Sequence, residues 1–176
     1  MAELQVGRIS ILSALAPLAV LLSALAVASC SHAAERPILN EFFAASRLRD
    51  MTALRKLSTA TFEPTSQGII TSFEIIAVGP DQHSFETART LASKSSLVEL
   101  SVDTLRHRVE LKQYDGDLVT KEVTISAPVK LPNGQTAQKT LIVAMQRAIL
   151  KGDKEIVGRW IITGVKTLPE GARYGR

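Results

Sequence analysis

The fold class of this chain is decided by residues 119–129, VTKEVTISAPV, and residues 141–149, LIVAMQRAI. In the first segment apolar and polar side chains alternate, and in the second Leu141, Val143 and Met145 share one parity. A period of two is typical of strands that bury one face. The sequence therefore predicts a pair of antiparallel strands with a shared apolar face.

The short loop at 132–134, Pro-Asn-Gly, sets the register of this pair. As a three-residue loop it has proline at the first position of a type I turn and glycine at the left-handed position that follows. It then pairs Ile125 with Leu141 and Val123 with Val143. A two-residue turn would pair odd with even positions, which would divide the apolar side chains between two faces.

A third strand at 155–165 is expected to extend the sheet. A four-residue loop before it places Met145 beside Trp160 and Val143 beside Ile162. In this register three antiparallel strands share one apolar face, which a layer of helices can cover.

The opposite face of the sheet has a mixed character. Its polar side chains are expected to form a solvated cross-strand ladder of Glu122, Gln146 and Arg159. Its apolar side chains are Ile142, Ala144, Ile161 and Val165. Because such a face is often covered, it predicts contact with a second copy of the chain, as a homodimer, or with an envelope protein.

Two helices are predicted before the sheet. Pro37 suits a first helical position. The apolar residues that follow at helical spacing are Ile38, Leu39, Phe42, Phe43 and Leu48. Asp50 is expected to cap a second helix. The apolar side of this second helix contains Met51, Leu54 and Leu57. Helices packed on an antiparallel sheet predict the α+β class.

The stretch between these helices and the sheet is less regular. Residues 69–78 are rich in β-branched side chains and predict a strand that ends at the turn Gly79-Pro80-Asp81. Residues 82–116 are the least periodic part of the chain. The elements predicted there are a helical turn near 85–91, a short strand at 97–102 and a polar loop at 114–117.

The N-terminal segment predicts where the protein works. No residue from 9 to 28 is charged, and the run stops at Val27-Ala28-Ser29-Cys30, the pattern of a bacterial lipobox. In this interpretation Cys30 becomes the lipid-carrying first residue of a mature protein in the cell envelope, facing the periplasm. Ser31 follows the cysteine, and by resemblance to Gram-negative lipoproteins this residue indicates the outer membrane.

Two other interpretations of this segment stay open. The run 9–28 is close to the roughly 20 residues that a helix needs to cross a bilayer, so it can be an uncleaved membrane anchor. Ordinary cleavage near 31–33 would leave a soluble periplasmic protein. The organisation that we expect is a signal peptide or anchor at 1–29, a tether at 30–36, a single α+β domain at 37–168 and a C-terminal tail at 169–176.

Charge and composition narrow the classes of function. The net charge is +4, but the basic residues are scattered and aromatic residues make up 5% of the chain, which disfavours a nucleic-acid surface. No pattern in the sequence indicates a cofactor or a metal ion. If the single cysteine carries lipid, the mature chain has no thiol for a disulfide or a nucleophile.

Two parts of the chain carry a resemblance to a known superfamily. They are residues 38–45, ILNEFFAA, with 50–54, DMTAL, and the last strand 158–165, GRWIITGV. These segments resemble nuclear transport factor two-like domains, in which a helix pair precedes a strongly curved antiparallel sheet that forms a cone. The resemblance implies dimerisation through the sheet. Enzymes of that superfamily use Asp or His deep in the cone, and none can be assigned here. A cystatin-like sheet with one helix is the related alternative.

Two basic residues share the parity of the apolar face. In the predicted register Lys121 lies opposite Met145 and Arg147 lies opposite Val119. Two cations at one end of an otherwise apolar, concave surface can bind an anionic ligand. Alternatively, both side chains reach water at the rim of the sheet. A further alternative is pairing with acidic residues of the helices, Glu41 or Asp50.

The remaining polar candidates indicate surface roles. His83 and His107 are expected in exposed loops, and geometry has to precede any acid–base role for them. Asp115 and Asp117 flank Gly116, which predicts ordinary turn chemistry.

Three functions are compatible with these patterns. The leading hypothesis is a non-catalytic envelope lipoprotein whose domain binds a partner protein or a small apolar or anionic ligand. The second is a single-span accessory subunit of a membrane protein complex, with residues 9–28 retained as its helix. The third is a small proton-transfer enzyme, an isomerase or hydrolase, which needs a buried acid–base pair in the cavity.

Overall fold

The computed structural model describes residues 34–102 and 110–169. The predictions on the segment 9–28, Cys30 and His107 lie outside this part of the chain. The helices are α1 (Glu35–Leu48), α2 (Met51–Leu57), α3 (Pro64–Gln67), α4 (Ala88–Ser93), α5 (Ser95–Val102) and a 3-10 helix, Leu111–Gln113. The strands are β1 (Ile69–Ile70), β2 (Glu74–Val78), β3 (Gln82–Glu86), β4 (Asp115–Lys130), β5 (Thr136–Lys151), β6 (Ile156–Val157) and β7 (Ile161–Thr167).

A long antiparallel hairpin forms the centre of the sheet. Strands β4 and β5 pair along their whole length, with Ile125 opposite Leu141 and Val123 opposite Val143, so the predicted register is confirmed. The third residue of the connecting loop, Gly134, has a φ of 84°. Glycine adopts this left-handed conformation without the steric penalty that a side chain brings.

Shorter strands line both sides of the hairpin. Strands β1, β2 and β3 pair in succession with β4, and β6 and β7 pair with β5, all of them antiparallel. The predicted strand at 69–78 is interrupted at 71–73, and the turn at 79–81 separates β2 from β3. The described chain is therefore an α+β fold with an antiparallel sheet, as the sequence predicts.

The two contacts predicted for the last strand are wrong. Met145 lies opposite Ile162 rather than Trp160. The ladder is interrupted at 158–160, between β6 and β7, and its register shifts again beside Met145. Each irregularity adds one residue to the outer strand. In addition, the loop before β6 has five residues rather than the predicted four, because Leu150 lies opposite Ile156. The three added residues together shift the pairing by an odd number, so Val165 packs on the helix-covered face, whereas the sequence pattern assigns it to the opposite one.

Helices α1 and α2 cover one face of the sheet. Helix α1 begins at Glu35, so the last two residues of the predicted tether at 30–36 belong to it. Pro37 lies in the first turn rather than at the first position, and its missing N–H removes no helical hydrogen bond there. The main core packs between these helices and the odd-numbered residues of β4 and β5.

The junction of α1 and α2 differs in part from the prediction. Asp50 caps α2, because its Oδ1 accepts hydrogen bonds of 3.0 Å from the N–H groups of the second and third residues of that helix. Leu48 is 73% exposed and Met51 is 48% exposed, so neither lies on the buried side of its helix, where the apolar spacing places it. The buried stripe of α2 runs through Leu54 and Leu57, and at 100° per residue Met51 lies beyond its edge.

A second helical layer covers the opposite face of the sheet at one end. Its core consists of Leu91, Val98, Val102, Leu111, Leu118, Ala148 and Leu150. The residues that β4 and β5 contribute to it are even-numbered, so they point away from the main core. The predicted strand at 97–102 is wrong because α5 occupies it. The helical turn predicted near 85–91 begins later, at Ala88.

Candidate functional site

Lys121 and Arg147 lie where the predicted register puts them. Lys121 is opposite Met145 and Arg147 is opposite Val119, on the face that α1 and α2 cover. The ring of Trp160 lies beside both cations, with its centroid 4.0 Å from Lys121 Nζ and 4.5 Å from Arg147 Cζ. The two cations therefore share one aromatic ring, an arrangement that stabilises positive charge.

The ammonium group of Lys121 is buried and ion-paired. Its side chain is 6% exposed, and its Nζ donates a short hydrogen bond to Oε1 of Glu35, whose side chain is 8% exposed. Oδ1 of Asp81 lies 3.8 Å from the same Nζ. A buried charge needs such partners, since unpaired burial is strongly unfavourable. The acidic partners are thus Glu35 and Asp81 rather than the predicted Glu41 or Asp50, and Lys121 does not reach water at the rim.

Arg147 lies at the more open side of this cluster. Its Nη2 donates a hydrogen bond of 3.3 Å to Oδ2 of Asp81, and its side chain is 26% exposed. Its Nε is buried and has no hydrogen-bond partner within the described residues. Buried donors are normally satisfied. Arg147 is therefore the more accessible cation of the pair, although its buried Nε is itself closed to an added acceptor.

Four separate parts of the chain, with the β4–β5 hairpin counted as one, build this charge cluster, which comprises Glu35, Asp81, Lys121, Arg147 and Trp160. Helix α1 presents its acidic first residue, where the helix dipole favours a negative charge. The turn at 79–81 is fixed to β4 because the N–H of Gly79 donates to the carbonyl oxygen of Glu122 at 2.8 Å. The two positive charges of the cluster are matched by the two negative charges of its carboxylates. An anionic ligand would therefore have to displace Asp81 from Arg147.

A groove of about 330 Å³ lies beside the turn at 79–81. Its volume falls in the range of small-ligand sites, roughly 300–1,000 Å³. Pro80, Lys121 and Ala144 are among its lining residues, whereas neither Arg147 nor Trp160 lines it in the described part of the chain. The groove therefore meets the predicted anion-binding pair at Lys121 alone and does not include Arg147.

Polar residues of β3, β4 and β5 form a second cluster around the partly buried Asp117. Oδ2 of Asp117 lies 2.9 Å from Nζ of Lys151 and 3.7 Å from Nδ1 of His83. The hydrogen bond from Lys151 holds the pKa of Asp117 below its ordinary value. Asp115 accepts a hydrogen bond of 2.7 Å from the N–H of Ala88. Both aspartates belong to β4, so the predicted turn is wrong, whereas His83 is exposed as expected but lies on a strand.

The polar ladder predicted for the opposite face is wrong at Arg159. Its guanidinium donates to the carbonyl oxygens of Leu100 at 3.2 Å and Lys56 at 2.7 Å. Glu122 and Gln146 lie opposite other residues of the hairpin. Arg159 thus connects α2 and α5. Because its side chain binds these helices, it does not extend the open part of the sheet face as the sequence pattern suggests.

Neither a metal centre nor a membrane-spanning helix is found within residues 34–102 and 110–169. These residues contain no group of three or more His, Cys, Asp or Glu side chains that could hold a metal ion. They also contain no helix with the length and apolarity to cross a membrane.

Comparison with models of protein families, with curated proteins and with solved structures finds no match for this chain. Its function is therefore inferred from its own residues and their geometry.

The sequence pattern identifies the cations of the charge cluster and misses its other members. It assigns Trp160 to a contact with Met145, Asp81 to a turn alone and Glu35 to the tether before the helix. The sequence does contain one signal for Glu35, which is an acidic residue at the start of an amphipathic helix, where the helix dipole favours it. This signal does not indicate which cation the carboxylate pairs with.

Proposed function

We propose that this chain is a non-catalytic lipoprotein of the bacterial cell envelope, anchored through Cys30 in the outer membrane and facing the periplasm. Residues 1–29 are its signal peptide. The described domain belongs to the nuclear transport factor two-like class, with its helices packed on a curved, cone-like sheet. It binds a partner protein or a small ligand rather than converting a substrate.

The distance along the chain between Cys30 and helix α1 carries this proposal. Helix α1 begins at Glu35, five residues after Cys30, and the core residues of this helix begin at Leu39. Five residues span at most about 18 Å when fully extended. The folded domain therefore starts just after the point where a mature lipoprotein would begin. The ion pair between Glu35 and Lys121 fixes that end of α1 to the sheet.

The charge cluster supports binding rather than proton transfer. A general base must lie within hydrogen-bonding reach of a substrate proton. Glu35 is the buried carboxylate of the cluster, and its Oε1 is already engaged by the ammonium of Lys121. Arg147, in contrast, lies at the more open side of the cluster and pairs with Asp81 through Nη2, so an anionic group on a ligand or partner would bind it in place of Asp81.

The open part of the opposite sheet face is the surface that we propose for a second copy or an envelope protein. Ile76 in β2 is exposed, as is Val157 in β6 at another part of the sheet. A maleimide cross-linker should join two Ile76→Cys chains into a dimer and should leave Val157→Cys chains monomeric. Equal cross-linking of both variants, or of neither, would rule out a homodimer through this face.

Metabolic labelling with a fatty acid tests the lipoprotein proposal. Wild-type chain in a Gram-negative host should incorporate label and be shortened, while Cys30→Ala should remain unlabelled and unprocessed. Ser31→Ala is the matched control, because it changes the neighbouring residue and keeps the thiol. An unlabelled, full-length wild-type chain in the membrane fraction would instead make residues 9–28 the anchor of an accessory subunit. A shortened, unlabelled chain would indicate a soluble periplasmic protein.

A further inference from the structure

The corner between α1 and α2 exposes apolar and basic side chains together. The residues of this α1–α2 corner are Arg47, Leu48, Arg49, Met51, Arg55 and Lys56, all of them exposed. Leu48, at 73%, has the largest exposed fraction among the large apolar residues that the structure describes as exposed. Isolated exposed apolar residues are common. Here two of them lie three positions apart, across the junction that Asp50 fixes as the cap of α2.

The charges of the corner have one sign. Residues 47–56 carry four cations, and their one carboxylate, that of Asp50, is engaged in capping α2. Met51 and Arg55 are four residues apart on one helix, so they lie on the same side of it. A helix surface with apolar residues bordered by Lys and Arg is typical of segments that lie on anionic lipid.

We propose that the α1–α2 corner docks on an anionic phospholipid surface and holds the domain against the membrane. This inference rests on the proposed membrane tether at the N-terminus. Helix α1 has 14 residues and is therefore about 21 Å long, so a short tether before Glu35 keeps the corner within reach of the bilayer. Leu48 and Met51 enter the boundary between headgroups and acyl chains, and the cations contact the phosphates.

The tether favours lipid over an acidic protein as the binding partner of the α1–α2 corner. A group linked to a surface by a short chain meets that surface at a high effective concentration, so weak contacts become sufficient. Such contacts between basic residues and anionic lipid decrease as salt screens them. Docking should therefore depend on both lipid charge and ionic strength.

A fluorescent probe on α2 tests this proposal in the full-length, lipidated chain. Thr52→Cys introduces an exposed thiol beside Met51 and leaves the corner intact. Labelled with an environment-sensitive dye, the protein is reconstituted into vesicles of phosphatidylcholine alone or with 30% phosphatidylglycerol. We expect a blue shift of the emission on the anionic vesicles and its loss in 0.5 M salt.

Matched variants separate docking from tethering. The pair Arg55→Glu and Lys56→Glu, added to Thr52→Cys, should abolish the blue shift. A dye at Val157→Cys should show no blue shift on either kind of vesicle. Flotation of the vesicles reports the tether independently. A chain that floats with anionic vesicles while its Thr52→Cys dye stays in water would overturn the docking proposal alone. A chain that does not float would overturn the tether and docking together. A shift that depends on protein concentration in neutral vesicles would identify a second copy as the occupant.

Discussion

The ammonium of Lys121, in the middle of strand β4, is paired with the carboxylate of Glu35, the first residue of helix α1. The two residues are 86 positions apart in the chain, and both side chains are almost completely buried. The pair therefore fixes the end of the domain that follows the tether.

Removal of one partner should destabilise the fold strongly. In Lys121→Met the carboxylate of Glu35 stays buried without its cation, and breaking a buried pair in this way costs about 3–5 kcal/mol. We expect that decrease in the free energy of unfolding, measured by urea denaturation of the full chain and followed by circular dichroism.

Two controls accompany this measurement. The double variant Lys121→Met with Glu35→Leu should recover much of the loss, because no buried charge remains unpaired. Arg147→Met should cost about 1 kcal/mol or less through its ion pair with Asp81, because that pair is more exposed. If Lys121→Met unfolded at the wild-type urea concentration, the pair would not fix α1 to the sheet.

Two glycines of the sheet should respond oppositely to alanine. At Gly116 in β4, an added Cβ would overlap the carbonyl oxygen of Ile149 in β5, so Gly116→Ala should lower the free energy of unfolding by about 1–3 kcal/mol. At Gly164 in β7 the nearest atom to an added Cβ is the Cβ of Ala144, at 3.7 Å. Gly164→Ala should be neutral or stabilise by up to about 1 kcal/mol, since it restricts the unfolded chain. Equal effects in thermal unfolding would contradict the β4–β5 register.

The free energy of unfolding should decrease at low pH, and two carboxylates should contribute to this decrease. Hydrogen bonds from Lys151 and Lys94 hold the pKa values of Asp117 and Glu86 below their ordinary values of 3.8 and 4.5. Both groups therefore contribute stability above pH 4.5 that is lost as the pH falls through the lower folded values. In urea titrations between pH 7 and pH 2, Asp117→Asn should flatten this decrease. An unchanged slope would show that Asp117 does not contribute to it.

The centre of the sheet could be predicted from the sequence because local rules determine it. The loop at 132–134 allows one register that keeps the apolar residues together, and this register also places Lys121 on the core face. The outer strand could not be predicted in the same way. The interruption at 158–160 involves the second helical layer, through the hydrogen bond from the N–H of Arg159 to the carbonyl oxygen of Ser101. The register shift beside Met145 adds a further residue that no local pattern marks.

The candidate site was less predictable than the sheet. Alternation of side chains places the two cations, but the choice of Glu35 over Glu41 depends on where α1 lies on the sheet, which no local pattern encodes. The short apolar run at 97–102 illustrates the same limit. Such a run is compatible with a buried strand or a buried helix, and packing against Leu118 and Leu150 stabilises the helix.

The mass of the N-terminal peptide tests the central claim most directly. The protein is extracted from membranes of a Gram-negative host, digested and analysed by mass spectrometry. Our proposal expects no peptide from residues 1–29 and an N-terminal peptide that begins at Cys30 with a diacylglyceryl group on its sulfur. A peptide from residues 1–29, or an unmodified thiol at Cys30, would contradict the proposal.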